Sequence, residues 1–151
     1  MTRGTWQHGE IAINVGAILR SYVRSHGGWR VSGNDPGTKL QSDPPTLRGP
    51  DVAVIRSERR PTGRGSAGWL DGAPELAVEI AGDSQTSIEL ARKALEYLAA
   101  GSQMVWVIDG IAELMMVFTP NRQVQILGSE DTVDGGELLP GFSCAVSEFF
   151  E

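Results

Sequence analysis

Little in this chain could cross-link it or hold it in a bilayer. It has a single cysteine, Cys144, which excludes an internal disulfide and any thiolate metal cluster. No apolar stretch approaches the ~18 residues that a membrane helix needs, and the N-terminal "MTRGTWQHGE" lacks the apolar centre of a signal peptide. A reducing cytoplasm is the expected location. A surplus of positive charge is missing too. The formal net charge is −6, which argues against a protein that coats nucleic acid. Internal repeats and low-complexity tracts are absent. What remains has an ordinary globular composition, 40% hydrophobic and 21% charged over 151 residues. That length suits one domain, 1–151, burying roughly two-thirds of its unfolded surface.

The charge is unevenly placed. Residues 1–70 hold 10 Lys and Arg against 5 Asp and Glu, a balance of +5, and residues 71–151 hold 3 against 14, a balance of −11. A positive half could meet phosphate while the negative half keeps the chain dispersed. Chance clustering on solvated faces is the competing explanation.

Apolar spacing predicts a first helix through Ile11, Val15, Ile18, Leu19 and Tyr22, closed by "HGG", with His26 favourably placed at its C-terminus. "WRVSGNDPGTKLQS" reads as two short strands around a turn at Asn34 to Gly37. "DPPTLRGP" reads as a loop, and "DVAVI" (51–55) as a β-branched strand. Residues 56–73 form the long irregular stretch, a mobile surface loop carrying Arg56, Arg59, Arg60 and Arg64. "ELAVEIA" is the next strand. Ser84 or Thr86 can cap a helix from about Ser87 to Ala100, with Ile88, Ala91, Leu95 and Leu98 as its buried stripe and Gly101 as its end. "QMVWVID" predicts a central strand. "ELMMVFTPNRQVQIL" predicts a hairpin turning at Pro120–Asn121, and "LLPGFSCAVSEFF" a closing loop with a short terminal element. This order implies an α/β layer fold, a mixed sheet flanked by two main helices.

One residue is out of place in this pattern. In "PELAVEIAGDSQTS", Glu79 interrupts an apolar run, and a buried carboxylate must have a partner, since stripping one away costs about 3–5 kcal/mol. Asp51 opens the preceding predicted strand. If the two strands pair, the carboxylates meet and repel unless a cation joins them. Mg²⁺ suits such a site, using one or two carboxylates, several waters and a substrate phosphate. Lys93, on the next helix, could reach the same place to orient or deprotonate the attacking water, or to neutralise a pentavalent phosphorus centre. The competing reading for Glu79 is a buried salt bridge with Lys93 or an arginine, in a dimeric scaffold supported by "VWVI" and the late hairpin. Lys93 could instead be a solvated helix lysine and Asp51 a loop cap. Glu10 sits at the start of the first helix, favourable for the helix dipole. Asp83 reads as a turn residue, Tyr97 as a packing residue on the Lys93 face, and Trp106 and Asp109 as core and strand end. The arginines of 56–64 are either solvated or a phosphate clamp, in which case binding falls steeply with salt.

The stretch "PDVAV … PELAVEIAGDSQTSIELARKALEYLAAGSQMVWVID … LPGF" resembles the Uma2 family of restriction-endonuclease-like proteins, within the PD-(D/E)xK nuclease superfamily. The pattern falls on Pro50-Asp51-Val52, Leu76 to Glu79, Lys93, Tyr97, Gly101, Trp106, Asp109, and Leu139 to Phe142. The resemblance spans about residues 8 to 150 and implies a restriction-endonuclease-like fold. It also implies metal-binding acids at Asp51 and Glu79, with Lys93 as the active-site lysine, and, because a first-helix acid approaches the metal in many nucleases of the superfamily, Glu10 as a further candidate, with His8 a weaker one. The superfamily's usual lysine position is Ala81 here, and the family pattern moves that lysine to the following helix. Expected function is then Mg²⁺-dependent, with Mn²⁺ an alternative, endonucleolytic hydrolysis of DNA by a homodimer. The runner-up expectation is a nuclease-fold binding or interaction module without turnover.

Overall fold

The first helix forms where the apolar spacing predicts it. In the computed structural model, which describes residues 3–41 and 44–151, α1 runs from Trp6 to His26. The Thr5 hydroxyl caps its start by accepting from the His8 N–H at 3.2 Å, meeting one of the otherwise unpaired first-turn donors. Ile11, Val15, Leu19, Tyr22 and Val23 are buried, the stripe of a helix lying on a sheet. His26 stacks on Tyr22 in the last turn, ring centroids 3.9 Å apart.

The elements that follow α1 are β1 (Trp29–Gly33), β2 (Thr38–Leu40), β3 (Thr46–Arg48), β4 (Val52–Arg56), β5 (Leu70–Asp71), β6 (Leu76–Ile80) and α2 (Ser87–Ala99). Then come β7 (Met104–Asp109), β8 (Leu114–Thr119), β9 (Gln123–Gly128), β10 (Thr132–Asp134), β11 (Ser143–Ala145) and a terminal 3-10 turn, Val146–Phe150. The main sheet has six strands in the order β1-β4-β6-β7-β8-β9. Its parallel pair is β6–β7, and α2 supplies the crossover that parallel neighbours require. The period-2 alternation of these strands divides the core in two. Val52, Val54, Val78, Trp106 and Ile108 pack with α1. Ala77, Val105, Val107 and Phe118 pack with Leu90, Ala94 and Tyr97 of α2 on the other face. The expected α/β mixed sheet with two flanking helices is therefore present.

Several local expectations need correction. β1 and β2 do not pair as a hairpin: β1 joins β4 at the edge of the main sheet, and β2 lies between β3 and β5 in a separate three-stranded sheet. Asn34 and Asp35 both take left-handed φ, 61° and 54°, and this reorients the chain from one sheet to the other instead of folding it back on itself. The "DPPTLRGP" loop contains β3, although Asp43 lies outside the described residues. The stretch 56–73 holds two 3-10 turns, Ser57–Arg59 and Gly65–Gly68, and β5. It is tied down at Arg59, which donates to the buried Glu75 carboxylate and to the carbonyls of Ala73 and Asp71. Arg56 stacks over Trp29 at 4.7 Å. On α2 the buried positions are Leu90, Ala94 and Tyr97, while Ile88 is 78% exposed. "VWVI" is wholly buried in the sheet centre, so it offers nothing to a second subunit.

Other expectations hold. Thr86 caps α2 in a reciprocal pair with Glu89. Gly101 supplies the positive φ, 115°, that follows the helix. β8 and β9 form the hairpin, with residues 120–122 as the turn.

Candidate active site

The register of two strands builds the site. β4 and β6 run antiparallel with Val52 opposite Val78, so the next position outward brings Asp51 alongside Glu79, on the same face of the sheet. The Asp51 N–H donates to the Val78 carbonyl at 3.0 Å, and the Ile80 N–H donates to Asp51 Oδ2 at 2.7 Å. The carboxylate is thereby held against the end of β6 by the backbone. On the other side, His8 Nε2 from the first turn of α1 stands 3.3 Å from Asp51 Oδ1. The α1 start is pinned there because Gln7 Nε2 donates to the Gly110 carbonyl, at the end of β7, at 3.2 Å.

Glu79 lies in a strand buried at every position. Two residues one turn apart on α2 serve it, as i, i+4 neighbours on one face can. Lys93 Nζ is 3.3 Å from Oε2, and the Tyr97 hydroxyl donates to Oε1 at 2.8 Å. The lysine side chain is 27% exposed and the glutamate side chain 5%, so the ammonium faces the solvent end of the pair and the carboxylate the protein interior.

Both carboxyl groups are pushed toward their neutral forms. Burial raises the Asp51 pKa, opposed by the Ile80 N–H and by His8, with Asp35 adding repulsion and Lys93 attraction. Burial likewise raises Glu79 to about 6; Lys93 opposes this, the Asp51 charge adds to it, and the hydrogen bonds from Tyr97 and Lys93 temper it. Tyr97 is held well above the ordinary phenol range by burial and by the Glu79 carboxylate. The chain's own cations thus leave the acidic pair short of compensating positive charge.

A divalent ion is one way to supply it. Among the described residues, no three His, Cys, Asp or Glu side chains gather into a complete metal-ligand set. That excludes the closed N/S shell of structural zinc, which asks for four protein ligands. Two hard carboxylates fit Mg²⁺, which keeps several waters and takes its remaining oxygens from a substrate phosphate.

The other residues singled out in the sequence fall elsewhere. Glu10 is exposed on α1. The α1 residue that reaches the acids is His8, ranked below it, because its position in the first turn overhangs β4. Asp83 is exposed in the turn before α2. Asp109 Oδ1 accepts from the Ile111 and Ala112 N–H groups and shapes the turn after β7. Trp106 is core. Tyr97 packs and also donates to Glu79, a second role visible in sequence only as its i, i+4 spacing from Lys93. Glu75 had no reading at all, yet it is buried and bonded to Arg59.

An acidic pair and a lysine on adjoining strands and a crossover helix, at the end of a mixed sheet, define a restriction-endonuclease-like α/β fold. The chain belongs to the Uma2 family, described as "putative restriction endonuclease", whose model matches residues 1–147. It is similar to the solved structure of a "putative nuclease belonging to DUF820" from Anabaena variabilis, at a TM-score of 0.80 and 19% identity, covering 99% of this chain and 82% of that one. No curated protein matches the chain. No helix among the described residues is long and apolar enough to cross a membrane.

Proposed function

We propose that the protein is a Mg²⁺-dependent nuclease, able to use Mn²⁺, that hydrolyses phosphodiester bonds of DNA in the cytoplasm. The observation that carries this reading is the pairing of half-buried Asp51 with buried Glu79, aligned by the β4–β6 register and left electrostatically short of positive charge. Bound there, the ion would supply electrophilic stabilisation of phosphate charge and a more acidic water. Asp51 and Glu79 would hold it. The Ile80 N–H fixes the rotamer of one acid and the Tyr97 hydroxyl that of the other. Lys93, held beside Glu79 with its ammonium toward solvent, would orient the attacking water or offset charge growing on the phosphoryl oxygens. His8 would steady Asp51 from the α1 side.

Plasmid cleavage tests this directly. Glu79→Ala should abolish Mg²⁺-dependent cutting, and Lys93→Ala should lower kcat by about 10²–10³-fold. A Glu79→Ala protein that cuts as fast as the parent ends the reading.

A second reading has its own support. Each of the four carboxylate oxygens already has a partner from the chain: His8, the Ile80 N–H, Lys93 or Tyr97. Such a self-satisfied cluster suits a nuclease-fold binding module without turnover. That module should show no thermal stabilisation by Mg²⁺ or Mn²⁺, whereas an occupied site should be stabilised by mass action. Homodimer formation, if it accompanies either reading, falls on the late hairpin, where Leu114, Val124 and Ile126 are exposed.

A further inference from the structure

A basic cleft lies outside the acidic cluster. Arg20 of α1, Arg30 of β1 and Arg60 of the loop after β4 line one cleft of about 400 Å³ at the β1 edge of the main sheet. These three arginines come from three separate elements, and none of them forms an ion pair among the described residues. Lys39, Arg48, Arg59 and Lys93 each face a carboxylate, whereas Arg20, Arg30 and Arg60 converge on one cleft. Bringing three uncompensated guanidinium groups to one concave surface costs repulsion, which an anion would relieve.

The cleft does not end there. A second space of about 590 Å³ runs between α1 and β1 to His8 and Asp51, and Arg20, Val31 and Ser32 line both. Together they make one groove from the Asp51 side of the proposed reaction centre to the arginines. Twelve residues of α1 separate His8 from Arg20, about 18 Å at 1.5 Å per residue. That is roughly five phosphates of one duplex strand at 3.4 Å each.

The floor of this groove is bare for no internal reason. Gly9, Ile13, Gly16 and Arg20 fall on one stripe of α1 and line the second space. A glycine inside a helix costs about 1 kcal/mol relative to alanine. Yet a Cβ at Gly9 or at Gly16 would meet nothing within 4 Å. The packing of the chain requires neither glycine, and what both positions leave is room between α1 and the sheet edge.

Resting on the nuclease reading above, we propose that this groove is the path of the nucleic-acid strand flanking the scissile phosphate. Arg20, Arg30 and Arg60 bind phosphates of its backbone, so the contact is independent of base sequence. The acidic end, with Asp35 and Asp51, meets the strand only through a cation, and the arginine end meets it directly.

Fluorescence anisotropy with a labelled DNA duplex in EDTA, over a range of salt, tests this on the whole protein. Arg30→Ala/Arg60→Ala should bind more weakly than the parent on every duplex tried, with the log–log salt slope reduced by about 2. Between about 50 and about 200 mM salt it should therefore lose roughly tenfold less affinity than the parent. Gly16→Glu places a carboxylate on the groove floor without a clash; it should weaken binding with no fall in melting temperature. Parent-like affinity and slope in these variants, while the parent binds and cuts DNA, overturn the groove and leave the nuclease intact. A change in oligomeric mass by light scattering with no change in slope also overturns it, by showing that the surface is covered by a second copy. A parent that neither binds nor cuts DNA removes both proposals.

Discussion

Glutamine at position 79 keeps the shape of the buried side chain and removes its charge, so it measures what that charge costs. The folded protein raises Glu79 from 4.5 to about 6, a gap that corresponds to about 2 kcal/mol. Because the folded pKa is the higher, the folded state holds this proton more tightly than the unfolded chain does. Its contribution is complete below pH ~4.5 and is lost as the pH rises to about 6 and beyond. The substitution should erase that loss. The stability of Glu79→Gln minus that of the parent should therefore climb by about 2 kcal/mol from pH ~4.5 to ~7.5, or about 4–8 °C in Tm for a domain of this size. The amide oxygen can still accept from the Tyr97 hydroxyl, and Lys93, with 27% of its side chain exposed, can turn to water. Urea unfolding followed by tryptophan fluorescence, in EDTA at a series of pH values, gives the difference directly. A difference flat with pH would refute the reasoning. So would a glutamine variant less stable by about 3 kcal/mol at neutral pH, since the Glu79–Lys93 pair would then be a net structural bond. Excess Mg²⁺ should recover the lost stability in the parent and not in the variant.

Three shorter predictions follow from other parts of the structure. Arg59→Ala leaves the buried Glu75 carboxylate with the Arg56 N–H but no cation and frees the loop before β5, and should cost about 3 kcal/mol by denaturant unfolding; a loss below about 1 kcal/mol would mean that the Arg59 contacts do not anchor it. Tyr97→Phe removes a donor to Glu79 Oε1 and so favours its protonated form; the acid limb of the pH–rate profile should move to higher pH, and an unmoved limb would separate Tyr97 from the chemistry. Ile126→Asp charges an apolar side chain that is 65% exposed; if the β8–β9 hairpin carries a subunit contact, light scattering should report the variant as a monomer with a Tm lowered by the lost association, and an unaltered mass would place any subunit contact elsewhere.

The parts of this fold that were readable in the sequence are those in which one physical rule acts alone. The α1 stripe, the uniformly apolar β7 and the Pro120–Asn121 hairpin each follow from burial or turn chemistry. The pairing of Asp51 with Glu79 followed from adjacency of their strands. Where two demands compete, the apolar pattern misleads. β1 and β2 look like a hairpin because Asn34 to Gly37 are turn formers, but nothing local says that the chain changes sheets there. On α2 the pattern selects Ile88, Ala91, Leu95 and Leu98, whereas the sheet receives Leu90, Ala94 and Tyr97, a face rotated by about one residue. The cause is the buried Glu79: both Lys93 and Tyr97 must turn toward it, and a count of apolar residues gives polar groups no weight. The rotation has a direct thermodynamic test. A buried isoleucine cut to alanine costs about 2–5 kcal/mol, but with Ile88 78% exposed the change Ile88→Ala should stay within about 0.5 kcal/mol. Ala94→Leu, at a position with no exposure, should instead overpack the helix–sheet contact by about 1–3 kcal/mol. The reverse order of costs would turn α2 by a position and withdraw Lys93 and Tyr97 from Glu79, leaving that carboxylate with neither partner.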